Sequence, residues 1–138
     1  MLVSTKGRYA LRVMVDLAEH QGEGRIPLKK IAERQGVSEK YLENILATLV
    51  RNGMLSGMRG KGGGYRLTRN PSDYSAGEIL RLTEGSLAPV SCLDGTCSGC
   101  ERAADCPTVG MWSKLDSMIT GYMDSVTIED LRCIDYVI

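Results

Sequence analysis

The apolar positions in the N-terminal part of the chain recur with the period of an α-helix and predict three helices. In residues 5–21 they fall at intervals of three and four, which puts one apolar stripe on a single helix. Pro27, a residue suited to the first helical position, opens a shorter second helix that Gly36 ends. Ser38 is a good N-cap for a third helix that runs to about Asn52. The residues expected to face inward are Ala10, Val13, Met14, Leu17, Ala18, Leu28, Ile31, Ala32, Leu42, Ile45, Leu46 and Leu49.

The segment after the third helix predicts a β-hairpin. Two strand-like runs, residues 54–59 and 65–69, flank the glycine-rich tip GKGGG. A hairpin directly behind two short helices joined at residues 35–37 is the arrangement of a winged helix-turn-helix. We therefore expect a mainly α-helical fold with a small β-hairpin wing, in which residues 1–70 form the winged helix-turn-helix region.

Two further helices are predicted in the second half of the chain. Ser75 and Glu78 have the spacing of a capping box, at the start of a short helix that ends at Gly85. Pro107 suits the first position of a long last helix, which would make Cys106 its approximate N-cap. A thiol at the positive end of a helix is expected to have a lowered pKa.

The distribution of charge separates the chain into a basic half and an acidic half, although the formal net charge is +0. Residues 1–70 contain 13 Lys and Arg against 6 Asp and Glu, whereas residues 71–138 contain 4 against 11. The basic half indicates a polyanionic partner, and nucleic acid is the leading one; ordinary solvated helix faces are the alternative. No run of residues has the length and apolarity of a membrane span, and the N-terminus lacks a signal-peptide pattern, so we expect a cytoplasmic protein without a membrane partner.

The polar face at the start of the third helix predicts contacts with double-stranded DNA. A recognition helix buries one face and presents polar side chains near its N-terminus to base edges. In this helix Lys40 suits guanine or phosphate, Asn44 suits adenine, and Glu43 suits the cytosine amino group. Basic side chains of the wing suit a narrow minor groove. The residues expected to contact DNA are Ser38, Glu39, Lys40, Tyr41, Glu43, Asn44, Arg59 and Lys61.

The long last helix carries more apolar surface than one small domain needs. Its apolar side chains recur at spacings of three and four, and they are Trp112, Leu115, Met118, Ile119, Tyr122, Met123 and Val126. They form either a core within the chain or a dimer interface. We favour the dimer interface, because one recognition helix and wing read only half of a palindromic operator. Residues 71–138 are thus expected to form a cysteine loop and a dimerisation helix, in one compact unit with the winged helix.

Four of the five cysteines lie in one polar loop, with the spacing C-x4-C-x2-C-x5-C. In a reducing compartment such a group is more typical of a metal, cluster or redox site than of structural disulfides. The first three match the C-x4-C-x2-C run of plant-type ferredoxins and favour an iron–sulfur cluster, 2Fe–2S or 4Fe–4S. Zinc and a thiol or disulfide switch remain alternatives, and only one CxxC pair is present for zinc. The candidate metal ligands are Cys92, Cys97, Cys100 and Cys106.

Other chemistry has little support in the sequence. His20 is the only histidine, and neither a pairing of nucleophile and base nor a nucleotide-binding glycine motif is present, so an enzyme is not expected. A small iron–sulfur electron-transfer protein is an alternative that would leave the wing and recognition helix unused. Cys133, apart from the other cysteines, is expected to be an inert buried thiol.

A family resemblance extends from the N-terminus to about Leu131. The chain resembles the IscR-type winged-helix regulators, which include IscR, NsrR and CymR. The residues that carry this resemblance are TKGRYA (5–10), YLE (41–43), RG (59–60), GGGY (62–65), AGEI (76–79) and the cysteine loop before Trp112.

The resemblance implies a homodimer crossed through the long helix, with DNA contacts from residues 38–44 and from Arg59. It also implies a cluster held by Cys92, Cys100 and Cys106. Two family ligands are replaced: Val109 stands where IscR-like members have a histidine, and Arg8 stands where NsrR-like members have an aspartate.

Cys97 is therefore the natural fourth ligand. The expected function is that of a repressor whose cluster senses cluster status, redox state or nitric oxide and modulates operator binding. Control of the same repressor by cysteine thiols, zinc or a partner protein is the alternative, as the resemblance to CymR, which lacks this loop, allows.

Overall fold

The computed structural model describes residues 2–95 and 100–133, and it confirms a mainly helical fold with one antiparallel hairpin in these ranges. The elements are α1 (Thr5–Glu19), α2 (Leu28–Gln35), α3 (Glu39–Arg51), β1 (Leu55–Met58), β2 (Gly64–Leu67), α4 (Ala76–Glu84), α5 (Val109–Ser125) and α6 (Ile128–Cys133). Short 3-10 turns occupy Gln21–Glu23, Pro71–Asp73 and Ser91–Leu93.

The core forms where the apolar stripes of α1, α2 and α3 meet. All of the predicted inward residues are buried except Leu28, which is half-buried at the start of α2. Burial of such a side chain contributes about 1.5–3 kcal/mol. The three helices are therefore held mainly by this shared interior, and their polar faces are left for other contacts.

Local signals set the corner between α2 and α3. Gly36 ends α2 in the left-handed conformation, with φ of 67°. The Ser38 hydroxyl accepts a hydrogen bond from the Tyr41 N–H at 3.1 Å and caps α3 as predicted. The start of α2 differs from the prediction by one residue, because Pro27 is its N-cap and Leu28 its first residue.

A buried carboxylate joins α1 to the end of α2. Asp16, which is 3% exposed, accepts hydrogen bonds from Arg34 Nε at 2.9 Å and Nη2 at 2.6 Å. It accepts another from Gln35 Nε2 at 2.9 Å. These bonds satisfy the buried charge and raise the pKa of Arg34.

The wing is an antiparallel pair in which Leu55 faces Leu67 and Met58 faces Gly64. Its base is held by the fully buried Tyr74, whose hydroxyl accepts from the N–H groups of Thr68 and Arg69 at 2.9 Å each. The same hydroxyl donates to the carbonyl of Met54 at 2.9 Å. The ends of both strands are thereby fixed to the segment that leads into α4.

The predicted capping box of α4 is only half formed. The Ser75 hydroxyl accepts from the Glu78 N–H at 3.0 Å, as expected. The Glu78 carboxylate instead accepts two hydrogen bonds from Arg69, at 3.0 and 3.1 Å. Glu78 thus connects α4 to the end of the wing.

The start of α5 also differs from the prediction. The helix begins at Val109 with Thr108 as N-cap, so Cys106 and Pro107 lie in the preceding turn. Pro107 therefore precedes the helix and is not its first residue. Near its other end, Asp124 forms a bidentate ion pair with Arg81 of α4, at 2.8 and 3.0 Å.

The apolar residues of α5 lie on two faces. Trp112, Ile119 and Met123 are half-buried on one side, whereas the other side is open. No described residue of α5 is fully buried. The open stripe consists of Met111, Leu115, Met118 and Tyr122, which are 56%, 37%, 62% and 67% exposed.

Candidate nucleic-acid interface and cysteine pocket

The first two turns of α3 present a continuous polar face. Of the residues predicted to contact DNA in this helix, Glu39, Lys40, Glu43 and Asn44 are exposed, and so is the N-cap Ser38. The opposite face is buried in the core, since Leu42, Ile45, Leu46 and Leu49 are 0% exposed. The helix therefore has the division between buried and presented side chains that a recognition helix requires.

Tyr41 lies on the flank of this face and is half-buried. Its ring packs edge-on against Tyr9 of α1, with centroids 6.1 Å apart. Arg12 in turn stacks over the Tyr9 ring at 4.8 Å and donates to Gln35 Oε1 at 2.9 Å. Tyr41 is thus fixed from behind by an aromatic pair and a cation–π contact.

The wing tip carries the two predicted basic contacts, Arg59 and Lys61, both exposed. The tip turns through a hydrogen bond from the Gly63 N–H to the Gly60 carbonyl at 2.9 Å. A Cβ at Gly63 would lie 2.3 Å from the Met58 carbonyl oxygen, so no side chain fits there. This tight turn leaves both basic side chains at the solvent-facing end of the hairpin.

A crease between α3 and the wing brings Glu43 and Arg59 together around Tyr65. The crease encloses about 330 Å³ and is lined by Glu43, Ala47, Val50, Arg51, Gly57, Met58, Arg59 and Tyr65. Burial raises the pKa of the Tyr65 phenol and Glu43 adds to this rise, whereas Arg59 lowers it. Two predicted DNA contacts on different elements therefore act on the same side chain.

The sequence interpretation missed Tyr65 and Arg51 as members of this surface. The sequence places Tyr65 at the start of a predicted strand and in the family motif GGGY, without a role at the DNA-facing surface. Its place follows from the hairpin register, which sets it opposite Gly57, a residue without a side chain to cover the ring. The exact register of the predicted hairpin was the missing signal.

The cysteine loop forms a small pocket at the N-terminal end of α5. Cys92, Cys100 and Cys106 line one cavity of about 140 Å³. Its other walls come from Leu93, Ala103, Val109 and Trp112. Cys97, the predicted fourth ligand, lies outside the described residues. The structure thus brings three of the four candidate ligands to a single apolar-walled space.

Hydrogen-bond donors at the start of α5 lower the pKa of the Cys106 thiol. The Thr108 hydroxyl, 3.4 Å from Cys106 Sγ, has the largest effect, and the N–H groups of Thr108 and Val109 add to it. The predicted direction of the shift is confirmed. Its cause is different, because Cys106 precedes the helix and is not its N-cap.

The donor set of this pocket suits a thiolate-bound metal group. Sulfur ligands favour zinc and iron–sulfur clusters, whereas magnesium and calcium take oxygen ligands. Among residues 2–95 and 100–133, however, no three His, Cys, Asp or Glu side chains stand close enough together to hold a metal ion. The described cysteines therefore share a cavity without converging on one point.

The position of Cys133 differs from the prediction that this thiol is buried. It is exposed at the end of α6, with its Sγ 3.5 Å from Glu129 Oε1. The prediction of an inert buried thiol is wrong, because α6 turns this side of its last turn toward solvent. Cys133 is also separate from the residues that line the cysteine pocket.

A helix-turn-helix with an exposed polar recognition face, followed by a wing with a basic tip, defines a winged-helix transcription regulator. Residues 3–133 match the family model Rrf2, described as an iron-dependent transcriptional regulator, and the chain belongs to this family.

Named relatives and solved structures agree with this assignment. The chain is 38% identical over 131 residues to the HTH-type transcriptional regulator IscR of Photorhabdus laumondii, covering 95% of this chain and 79% of the relative. It is similar to the structure of CymR (YrzC), the global cysteine regulator of B. subtilis, at 36% identity with a TM-score of 0.79 and 96% of each chain covered. It is also similar to the structure of T. potens IscR, at 40% identity with a TM-score of 0.74, covering 95% of this chain and 85% of the other.

These relatives are transcription regulators, which confirms the expectation that the chain is not an enzyme. The α-helices in the described ranges are all too short or too polar to span a membrane. The similarity includes proteins named for two different regulators, IscR and CymR. The similarity thus establishes the class of protein, whereas the signal that controls it depends on the chain's own residues.

Proposed function

We propose that the chain is a homodimeric, cytoplasmic repressor that binds a palindromic operator and is controlled by an iron–sulfur cluster in the cysteine loop. The observation that carries the proposal is the cavity of about 140 Å³ lined by Cys92, Cys100 and Cys106, in a chain whose polar recognition face is exposed. An electron-transfer protein would have no use for this face.

DNA reading is assigned to the start of α3 and to the wing tip. Because its Oγ already accepts the Tyr41 N–H, Ser38 can offer DNA its hydroxyl proton. Asn44 is suited to an adenine edge and Glu43 to a cytosine amino group, while Lys40 suits guanine or phosphate. Arg59 and Lys61 are suited to the adjacent minor groove or its phosphates.

Dimer formation is assigned to the open stripe of α5. Its four residues, at spacings of four, three and four, put a large apolar surface in solvent. Exposed apolar patches of this kind mark interaction sites. A second copy of the chain is the natural partner, because a symmetric pair presents two recognition helices to the two halves of a palindrome.

The cysteine pocket is assigned to the cluster, which when bound supplies a redox-active centre that also reacts with nitric oxide. Cys92, Cys100 and Cys106 would hold it, with Cys97 as the fourth ligand. The C-x4-C-x2-C spacing favours 2Fe–2S or 4Fe–4S, whereas a tetrahedral zinc site usually draws on two CxxC pairs and only one is present.

Anaerobic purification with iron and sulfide analysis tests the sensor part. We expect a coloured protein with stoichiometric iron and sulfide, whose operator affinity changes when the cluster is removed. A colourless protein with the same operator affinity before and after removal would contradict cluster control.

Two substitutions test the DNA part by fluorescence anisotropy of a labelled operator over a range of salt concentrations. Arg59→Ala is expected to weaken binding to every sequence and to reduce the slope of log affinity against log salt by about 1. Asn44→Ala is expected to cost about 1–3 kcal/mol, confined to one base position. Arg132→Ala, exposed on α6 and outside the proposed DNA contacts, the open stripe and the cysteine pocket, is the control and should leave both quantities unchanged.

Control by cysteine thiols is the second candidate, and it is favoured by the lowered pKa of Cys106 and by the similarity to CymR. Cys97→Ser separates the ligand schemes. Iron retained at full stoichiometry removes Cys97 from the ligand set. An iron-free wild-type protein whose operator affinity changes on thiol oxidation would favour the thiol mechanism, and stoichiometric zinc would favour a zinc site.

A further inference from the structure

One wall of the cysteine pocket is apolar and contains none of the candidate ligands. Trp112 is the largest side chain in this wall and the only tryptophan of the chain. We propose that Trp112 covers the cysteine pocket and shields the bound cluster from water and from hydrophilic solutes. This inference rests on the proposed function, since it takes the pocket to hold the cluster.

The backbone fixes Trp112 one helical turn from Thr108, a residue that contacts a proposed ligand. The Trp112 N–H donates to the Thr108 carbonyl at 3.1 Å, in the first turn of α5. Thr108 also contacts the Cys106 sulfur through its hydroxyl at 3.4 Å. Trp112 and the Cys106 thiol are therefore connected through one residue.

The direction of the side chain separates Trp112 from the open stripe of α5. Its neighbour Met111 is 56% exposed, whereas Trp112 is half-buried against the cysteine loop. Trp112 is thus directed toward the pocket and not toward the surface assigned to the second copy. A role confined to dimer contacts would not make Trp112 part of the same cavity lining as the three cysteines.

Shielding follows from what surrounds the cavity. Cys92 and Cys100 are themselves exposed, so the thiols alone leave the space open to solvent. The apolar shell around a metal site controls the access of water and the local dielectric. Removal of the indole, the largest part of this shell, would open the α5 side of the pocket to water as well.

The rate of iron transfer to EDTA under anaerobic conditions tests the proposal. Trp112→Ala, Trp112→Phe and the exposed neighbour Ser113→Ala, which is outside both the open stripe and the pocket lining, are first matched for iron and sulfide per chain and for helix content. We expect Trp112→Ala to lose iron about tenfold faster than the wild type, within the usual range for residues around a metal site. Trp112→Phe, which keeps an aromatic cover, should fall between the two, and Ser113→Ala should match the wild type.

Wild-type fluorescence supplies a second readout that needs no variant. Emission from Trp112 is expected to be quenched in the cluster-bound protein and to rise with the same time course as the visible absorbance falls in EDTA. Quenching reports that the indole lies near the cluster, and the rate of iron release from Trp112→Phe decides the shielding role where Trp112→Ala takes up no cluster.

The outcomes distinguish this inference from the proposed function. Unchanged iron release in Trp112→Ala, or emission that does not respond to cluster loss, overturns the shielding role and leaves cluster control standing. A wild-type protein that contains no iron and sulfide after anaerobic purification overturns both.

Discussion

At the scale of single residues, the hydroxyl of Tyr74 organises the base of the wing. It serves two backbone N–H groups and one carbonyl, and the ring around it is inaccessible to water. A buried hydrogen-bonding group that loses its partner costs more than the bond itself contributes. The orientation of the wing therefore depends on an oxygen that lies far from any expected DNA contact.

Tyr74→Phe is expected to lower the free energy of unfolding by about 1–3 kcal/mol, because the Thr68 and Arg69 N–H groups lose their hydrogen-bond acceptor. Urea denaturation measures the change. Tyr122→Phe is the matched control, and because Tyr122 is 67% exposed the change there should stay within about 0.5 kcal/mol. A loss no larger than that of the control would show that water replaces the hydroxyl at the wing base.

At the scale of elements, α4 connects the winged helix-turn-helix region to the part of the chain that carries the cysteine loop. At its end, Glu84 accepts hydrogen bonds from the Ser4 N–H at 3.0 Å and hydroxyl at 2.5 Å, at the start of α1. One turn earlier, Arg81 holds Asp124 of α5. These side chains of α4 therefore connect α5 to the start of α1.

The Arg81–Asp124 pair predicts a pH-dependent contribution to stability. Hydrogen bonding to Arg81 lowers the pKa of Asp124 in the folded chain. A lowered folded pKa means that the stabilisation is present above the unfolded pKa of about 3.9 and is lost as the pH falls through the folded value. Because both side chains are more than a third exposed, Asp124→Asn should cost less than about 1 kcal/mol at neutral pH.

Urea denaturation of wild type and Asp124→Asn at several pH values measures this difference. It should shrink toward zero in acid, where the wild-type carboxylate is protonated. Glu33→Gln, on the exposed face of α2, is the control for loss of a surface carboxylate. A difference that persists unchanged at acidic pH would contradict the ion-pair explanation.

The same elements show what the sequence could predict. The end of α2 and the start of α3 followed from local rules, a left-handed glycine and a serine cap, and the buried residues of α3 followed from the helical period. The division of α5 into two faces did not follow from local rules or from the helical period. Its half-buried side is selected by tertiary packing against α4. Tyr65 was missed for a similar reason, since its place depends on the pairing of two strands.

At the scale of the whole molecule, the sign of the charge differs between the two halves of the chain. The residues proposed to contact DNA belong to the basic half, whereas the open stripe of α5 and the cysteine pocket belong to the acidic half. An acidic half repels phosphate, so we expect the winged helix-turn-helix region to approach DNA first. We expect this charge asymmetry to orient the protein before any specific contact forms.

Met118→Glu tests the open stripe as the surface between two copies. Met118 is 62% exposed, so the substitution should not disturb the fold of one chain. A charge buried between two apolar stripes is costly, and we expect the variant to be monomeric and to bind an operator half-site only weakly. Sedimentation equilibrium measures the association state. Ser117→Glu, exposed on another side of the same helix, carries the same added charge and should remain dimeric.

The composition of the open stripe has a mechanical consequence. Two of its four residues, Met111 and Met118, have unbranched thioether side chains, which repack around a new neighbour more easily than branched ones. A helix pair joined through such side chains can slide or rotate by small steps without opening cavities. The interface between two copies would then tolerate small shifts without losing its contacts. The distance between their two recognition helices would be adjustable.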